Sequence, residues 1–198
     1  MKPALLIFAR HPETGKVKTR LAATMGNEAA LRIYTKLLQH TVSITNDLPV
    51  DKFVFYAEQL MQEDLWDTTH YFKEIQKGND LGERMKQAFD NIFQKGYQMA
   101  VVIGTDCPGL SAAAIMHAFT SLNNHDVVIG PAEDGGYYLL GMKQPYAQLF
   151  ERIAWSTSTV LAETVKKCAA LKLDYTLLPV LGDVDEEKDL KQFKLQEQ

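Results

Sequence analysis

Short apolar runs alternate with amphipathic stretches along most of this chain. Pro3 to Ala9 (PALLIFA), Lys52 to Ala57 (KFVFYA), Ala100 to Ile103 (AVVI), Asp126 to Gly130 (DVVIG), the apolar end of Pro131 to Met142 and Tyr175 to Val180 are compact and rich in β-branched or aromatic side chains. Runs of that kind fill strands buried on both faces of a sheet. Tyr71 to Gln76 adds a shorter candidate strand. Between these runs, apolar residues recur at three- and four-residue spacings, which predicts helices. Ala30, Ile33, Tyr34, Leu37, Leu38 and Val42 mark one that starts at Leu21 or near Asn27 and reaches about Ile44. Met85, Ala88, Phe89, Ile92 and Phe93 mark another over Glu83 to Lys95, and Leu60, Met61, Leu65 and Trp66 predict one over Glu58 to His70. Ala112 to Leu122, a short piece over Gln144 to Phe150 and Val160 to Leu171 follow, the last introduced by a Ser or Thr cap in Trp155 to Thr159, and the tail beyond Asp185 has helical propensity.

Strands alternating with helices predict an α/β fold with a mainly parallel sheet covered on both faces. With no repeat, no low-complexity tract and no linker-like stretch, residues 1–198 read as a single domain. Trp66 and Tyr71 are expected in its core.

Composition narrows the partners more than the fold. A net charge of -4 gives no general attraction to a phosphate backbone, so nucleic acid is not an expected partner. The apolar run Ala4 to Ala9 is too short for a membrane span or a signal-peptide core, which leaves a cytoplasmic protein as the expectation. Cys107 and Cys168 stand far apart without a CxxC pair, against a zinc site or a disulfide framework. Cys107 is also a poor nucleophile candidate, because the carboxylate of Asp106 beside it disfavours a thiolate.

The candidate chemistry lies in the loops that follow predicted strands, where an open α/β sheet binds its ligands. After the first strand comes Arg10 to Arg20, with Gly15 and the cations Arg10, Lys16, Lys18 and Arg20 running through Thr19 into a helix. Such a loop can cradle a polyphosphate or can simply be a solvated basic face; it is neither a Walker A loop nor GxGxxG. Lys77 to Arg84 (KGNDLGER) brings two glycines to a helix start, and Arg84 there is electrostatically disfavoured unless an anion is near. Asp106 follows the Ala100 to Ile103 strand in GTDCP, placed equally well for a ligand site or a helix cap. Glu133 to Tyr137 (EDGGY) holds a glycine pair suited to close backbone approach, with Asp134 as a metal or ribose ligand or a turn residue. Asp183 and Asp185 lie two apart, so an extended segment points both the same way. Joined with Asp106 they form a hard oxygen set for Mg2+ or Mn2+; the competing role is capping a terminal helix.

Taken together, FARHP…GKVKTRL from Phe8 to Leu21, GNDLGER from Gly78, GTDCP from Gly104, GPAEDGGYY from Gly130, Trp155-Ser156 and Asp183-Val184-Asp185 occur in order across nearly the whole chain. The set closely resembles the DUF2064 family, bacterial proteins assigned to the glycosyltransferase A superfamily together with guanylyltransferases such as those acting on phospholactate and molybdenum cofactor. The resemblance implies a Rossmann-like three-layer α/β/α sandwich of the nucleotide-diphospho-sugar transferase type. It implies Asp106, Asp183 and Asp185 as metal ligands, the Arg10 to Arg20 loop as the phosphate loop, and the Leu81-Gly82 backbone as facing the base.

The expected function is a metal-dependent transferase using a nucleotide-sugar donor. Lys16, Lys18 and Arg20 would help neutralise the diphosphate, and Asp106, Asp134 and Lys18 stand as catalytic candidates. Asp134, Gly135, Gly136, Tyr137, Trp155 and Ser156 would shape the pocket for the sugar or a small-molecule acceptor. Two alternatives stay open: a nucleotidyltransferase that joins a nucleoside triphosphate to a phosphorylated acceptor and releases pyrophosphate, and a nucleotide-binding protein without turnover. Two departures from the related enzymes are visible: the loop has the single Gly15 where nucleotidyltransferases carry more glycines, and Asp106 stands alone where glycosyltransferases carry DxD.

Overall fold

The computed structural model describes residues 2–193 except position 62, with side chains described to residue 190. Among the described residues seven strands form one sheet: β1 (Pro3–Ala9), β2 (Asp51–Tyr56), β3 (Tyr71–Ile75), β4 (Met99–Ile103), β5 (Val127–Pro131), β6 (Tyr137–Met142) and β7 (Tyr175–Leu177). Their order is β3-β2-β1-β4-β6-β5-β7, parallel throughout except for β6, which runs antiparallel to β4 and β5. β4 and β5 are buried at every position, as their unbroken apolar runs require.

Helices cover both faces, which gives the expected three layers. One core packs Leu5, Ile7, Val54, Val101 and Ile103 against α2 (Asn27–Thr45) and α4 (Ala112–Ser121). The other packs Leu6, Phe55, Ala100, Val102 and Leu140 against α3 (Leu81–Gln94) and α5 (Val160–Ala170). A third, smaller cluster joins α1 (Thr19–Met25), α2 and α6 (Glu187–Phe193) through Leu21, Ile33, Leu37, Val184 and Leu190. Among the described residues no helix is long and apolar enough to cross a membrane.

Several elements differ from the sequence pattern for identifiable reasons. The helix expected from Leu21 or Asn27 is two helices broken at Gly26, whose φ of 83° no helix admits. α3 starts at Leu81 because the Asp80 carboxylate accepts the Glu83 N–H at 2.8 Å, a side-chain cap that sets the first turn. No helix exists among the described residues of 58–70. There the Asp64 carboxylate accepts the Trp66 N–H and that of Asp67 accepts the Thr69 N–H, each bond closing a turn two residues on that competes with helix. Trp66 is buried as expected, and Tyr71 with it, but Leu60 and Leu65 face solvent. The piece over Ala147–Phe150 is a single 3-10 turn. Thr159 stands at the cap position of α5 but makes no capping bond, its hydroxyl pairing with Thr157 and Glu163 instead. β7 ends at Leu177; the Leu178 N–H still reaches the Ile129 carbonyl at 2.8 Å, but the regular spacing is then lost and the next bond to β5 comes from the Leu181 N–H to the Pro131 carbonyl.

Candidate active site

The strand order reverses between β1 and β4, and the crevice beyond their carboxyl ends is where such a sheet places its ligand. A cleft of about 670 Å³ opens there. Its floor is made by Phe8, Ala9, Val102, Ile103 and Gly104 at the two strand ends.

Asp106 is delivered by the turn after β4. Its backbone carbonyl accepts the Val184 N–H at 2.9 Å, which draws the segment Asp183-Val184-Asp185 alongside. The valine between the two acids is fully buried among Leu21, Ile33 and Leu37, so apolar packing holds the segment while the flanking carboxylates turn the other way. Oxygens of Asp106, Asp183 and Asp185 thereby lie within 4.8 Å of one another. The expectation that these three meet is matched by the geometry. Burial, together with the charges of Asp106 and Asp134, pushes the Asp183 carboxyl up to about 6.

Opposite the acids stands Lys18. Its Nζ lies 3.3 Å from Asp106 and 3.0 Å from Asp185, with only 7% of the side chain exposed. Burial alone would lower its pKa, but the two carboxylates outweigh that and raise it above the ordinary lysine value. Lys18 holds left-handed backbone, φ 45°, just before α1, a conformation uncommon for a residue with a side chain. Arg20 reaches Asp185 at 3.4 Å from a largely exposed position. Arg10, Lys16 and Thr19 also line the cleft, although the Lys16 ammonium is drawn to Glu13 at 2.9 Å. Gly15 does not line it; with φ 78° it turns the loop back toward α2, beside Asn27.

Further along the cleft, Leu81 and Arg84 contribute from α3, the Arg84 Nε donating to the Gly78 carbonyl at 3.1 Å. Gly82 is buried behind them under the indole of Trp155. Tyr137 and Ser156 line the cleft, whereas Asp134, which is exposed, and Gly135, Gly136 and Trp155 do not. Asp134 folds back to accept the Gly136 N–H at 2.8 Å and contributes its charge to Asp183. Cys107 is buried in the turn, and burial aided by Asp106 pushes its thiol up to about 12, which leaves no nucleophile there.

Sequence reasoning missed Tyr34, Thr105 and Gln76. The Tyr34 hydroxyl accepts the Arg10 N–H at 2.9 Å and stands 3.4 Å from the buried Thr105 hydroxyl, tying the start of the basic loop to the Asp106 turn. The periodicity of α2 marks Tyr34 only as core, and its polar end has no pattern in sequence. Gln76 donates its amide to the Phe55 carbonyl and lines the cleft; its place directly after β3 was the available signal.

A mainly parallel seven-stranded sheet with this cleft at its reversal point is the nucleotide-diphospho-sugar transferase-like fold. Residues 38–157 match the family described as "Uncharacterized protein conserved in bacteria (DUF2064)", and the chain belongs to that family. A protein of Desulfovibrio desulfuricans G20, provisionally named a nucleotide-diphospho-sugar transferase, is 35% identical over 96% of this chain and 85% of its own, with a TM-score of 0.88. Two more distant structures share the fold. The CMP:2-keto-3-deoxy-manno-octonic acid synthetase complexed with CTP has a TM-score of 0.57 at 9% identity, over 97% of this chain and 96% of its own. Rv0371c of Mycobacterium tuberculosis H37Rv, in complex with manganese, has a TM-score of 0.54 at 10% identity, over 98% of each chain. No curated protein matches this chain.

Proposed function

We propose that this protein is a metal-dependent transferase that uses a nucleotide-sugar donor. The observation that carries the reading is the convergence of Asp106, Asp183 and Asp185 within 4.8 Å, with Asp106, Asp185 and the Lys18 that pairs with both lining one cleft at the sheet's reversal point. The name given to the 35% identical relative supports the donor class.

The donor set fits a divalent cation. Three carboxylates offer hard oxygen ligands of the kind Mg2+ and Mn2+ prefer, and Asp183, raised first by burial and then by the neighbouring acids, carries a charge that such an ion would stabilise. Asp106, Asp183 and Asp185 would hold it. When bound, the ion supplies charge neutralisation at the diphosphate as the sugar leaves. The chain's own part is electrostatic and positional. Lys18 keeps its charge at the acid cluster, Arg20 reaches the same cluster from solvent, and Arg10 and Lys16 extend the positive field along the loop. Tyr34, through Arg10 and Thr105, keeps the loop and the Asp106 turn in register. Asp134, although it does not line the cleft, adds its charge to the burial and the Asp106 carboxylate that raise Asp183.

A second reading is nucleotidyl transfer with release of pyrophosphate. It is favoured by the gathering of Arg10, Lys16, Lys18 and Arg20 on one loop, a charge suited to a triphosphate. Incubation with Mn2+ and either nucleotide-sugars or nucleoside triphosphates, each with a panel of small acceptors, separates the two. Free nucleoside diphosphate is the expected product; pyrophosphate moves the assignment to the second reading. Calorimetric titration that finds no nucleotide bound, with or without Mn2+, overturns both.

A further inference from the structure

The segment between the 3-10 turn and α5 carries two departures from ordinary backbone: Arg152 and Ser156 hold φ of 53° and 63° without being glycine. Left-handed conformations persist at such residues when the surroundings impose them. The surroundings here are two glycines. A Cβ on Gly82 would lie 2.1 Å from Nε1 and 2.2 Å from Cε2 of Trp155, so the indole rests directly on the first turn of α3. The same ring lies near parallel to Phe150 at 6.4 Å, and Phe150 packs on Phe89 of α3 at 5.9 Å. At the other end, a Cβ on Gly135 would lie 2.2 Å from the Ser158 carbonyl oxygen, and the Gly135 carbonyl accepts the Leu161 N–H at 2.9 Å. Between these seats, Ser156 is exposed and lines the same cleft as Tyr137, Met85 and Leu81.

We infer that residues 152–158 form a fixed wall of the substrate cleft, seated on Gly82 through Trp155 and on Gly135 through Ser158, with Ser156 as its hydroxyl contact to the ligand. Gly82 therefore acts through Trp155, as a positioning residue. A Ser hydroxyl can donate and accept, which suits a hydroxyl-bearing group such as the sugar of the donor. Ser156 touches the ligand; Trp155 and the glycines place it. This inference rests on the nucleotide-sugar reading.

The test compares wild type, Ser156→Ala and Gly82→Ala by calorimetry with Mn2+ and a panel of nucleoside diphosphates and their glucose derivatives. Ser156→Ala keeps the Cβ and disturbs no packing. Gly82→Ala lies in a helix with ordinary φ, so its main effect is to displace the indole. The expected result is a loss of at least about tenfold in affinity for the nucleotide-sugar in both variants, with nucleoside diphosphate affinity within about threefold of wild type. Tryptophan emission of Gly82→Ala, recorded in a Trp66→Phe background, shifts to the red as Trp155 leaves its seat. If Gly82→Ala fails to fold, Ser156→Ala alone decides. Nucleotide-sugar binding unchanged in Ser156→Ala overturns this inference and leaves the transferase reading standing. Absence of binding to the whole panel by the wild type overturns both.

Discussion

Individual side chains set the electrostatics of the cleft, and Asp183 shows the balance. Its carboxyl is raised by burial and by neighbouring acids, so in the metal-free protein its charge opposes the fold at neutral pH. Asp183→Asn removes that repulsion while deleting one oxygen of the proposed metal set. The expected outcome is a metal-free protein more stable at pH 7 by on the order of 1 kcal/mol, read from urea midpoints, with Mn2+ binding reduced at least about tenfold by calorimetry. A variant that loses stability would show Asp183 to be paired favourably. The two thiols are a separate matter. Burial pushes Cys107 up to about 12 and Cys168 up to about 11, so at pH 8 only about one thiol in a thousand or fewer is ionised. Both should resist iodoacetamide in the native state and react in urea, with mass spectrometry counting the adducts. Rapid native modification of Cys107 would reopen it as a nucleophile.

At the scale of elements, the site depends on how short segments are pinned. Val184 is fully buried in the cluster that joins α1, α2 and α6, and its N–H anchors the segment to Asp106. Val184→Ala should cost about 2 kcal/mol through lost burial and a residual cavity. It should also weaken Mn2+ binding more than a comparably destabilising core change such as Val128→Ala in β5, because Val184 aims the acids and Val128 does not. At the far side of the sheet, Asp126 accepts the Asp174 N–H at 3.0 Å and pairs with Lys143 at 3.3 Å, and these bonds hold its pKa below the usual carboxylate value. A depressed folded pKa means stability present above the unfolded value near 4 and lost as pH falls through the folded one. Asp126→Asn should therefore flatten the loss of stability below about pH 4, measured by urea midpoints, and leave that slope unchanged near pH 7. Elements of this kind were legible where the pattern is repetitive. The apolar runs of β1, β4 and β5 and the strong amphipathicity of α3 each announce their burial. Residues 58–70 were misread because Leu60, Met61, Leu65 and Trp66 copy helical spacing, while the deciding groups are the Asp64 and Asp67 carboxylates that close turns on Trp66 and Thr69. The site was legible in its acids and its basic loop, since strand ends place them. Gly82 and Gly135 show the limit: a glycine signals close approach, but sequence does not say that Trp155 approaches the first and the Ser158 backbone the second.

For the whole molecule, the cleft is a meeting of three parts distant in sequence: the β1 loop, the β4 turn and the segment before α6. A ligand held by all three couples their packing, and one that binds only the folded chain stabilises it by mass action. At a free Mn2+ concentration a hundredfold above its dissociation constant, the gain is about 2.7 kcal/mol. For a chain of this length, each kcal/mol raises the melting temperature by about 2–4 °C, so saturating Mn2+ should raise it by roughly 5–10 °C. The rise should vanish on adding EDTA and be absent in Asp106→Ala, although that variant still folds, because Asp106 is partly exposed and its loss opens no core cavity. Lys18 gives the control. Lys18→Met removes the cation that competes for Asp106 and Asp185, so metal-free stability should fall while the Mn2+-induced rise grows. Scanning calorimetry of the three proteins with and without Mn2+ reads both effects together. A wild-type melting temperature indifferent to Mn2+ and to Mg2+ would leave Lys18, and not a metal ion, as the permanent counter-charge of the acid triad.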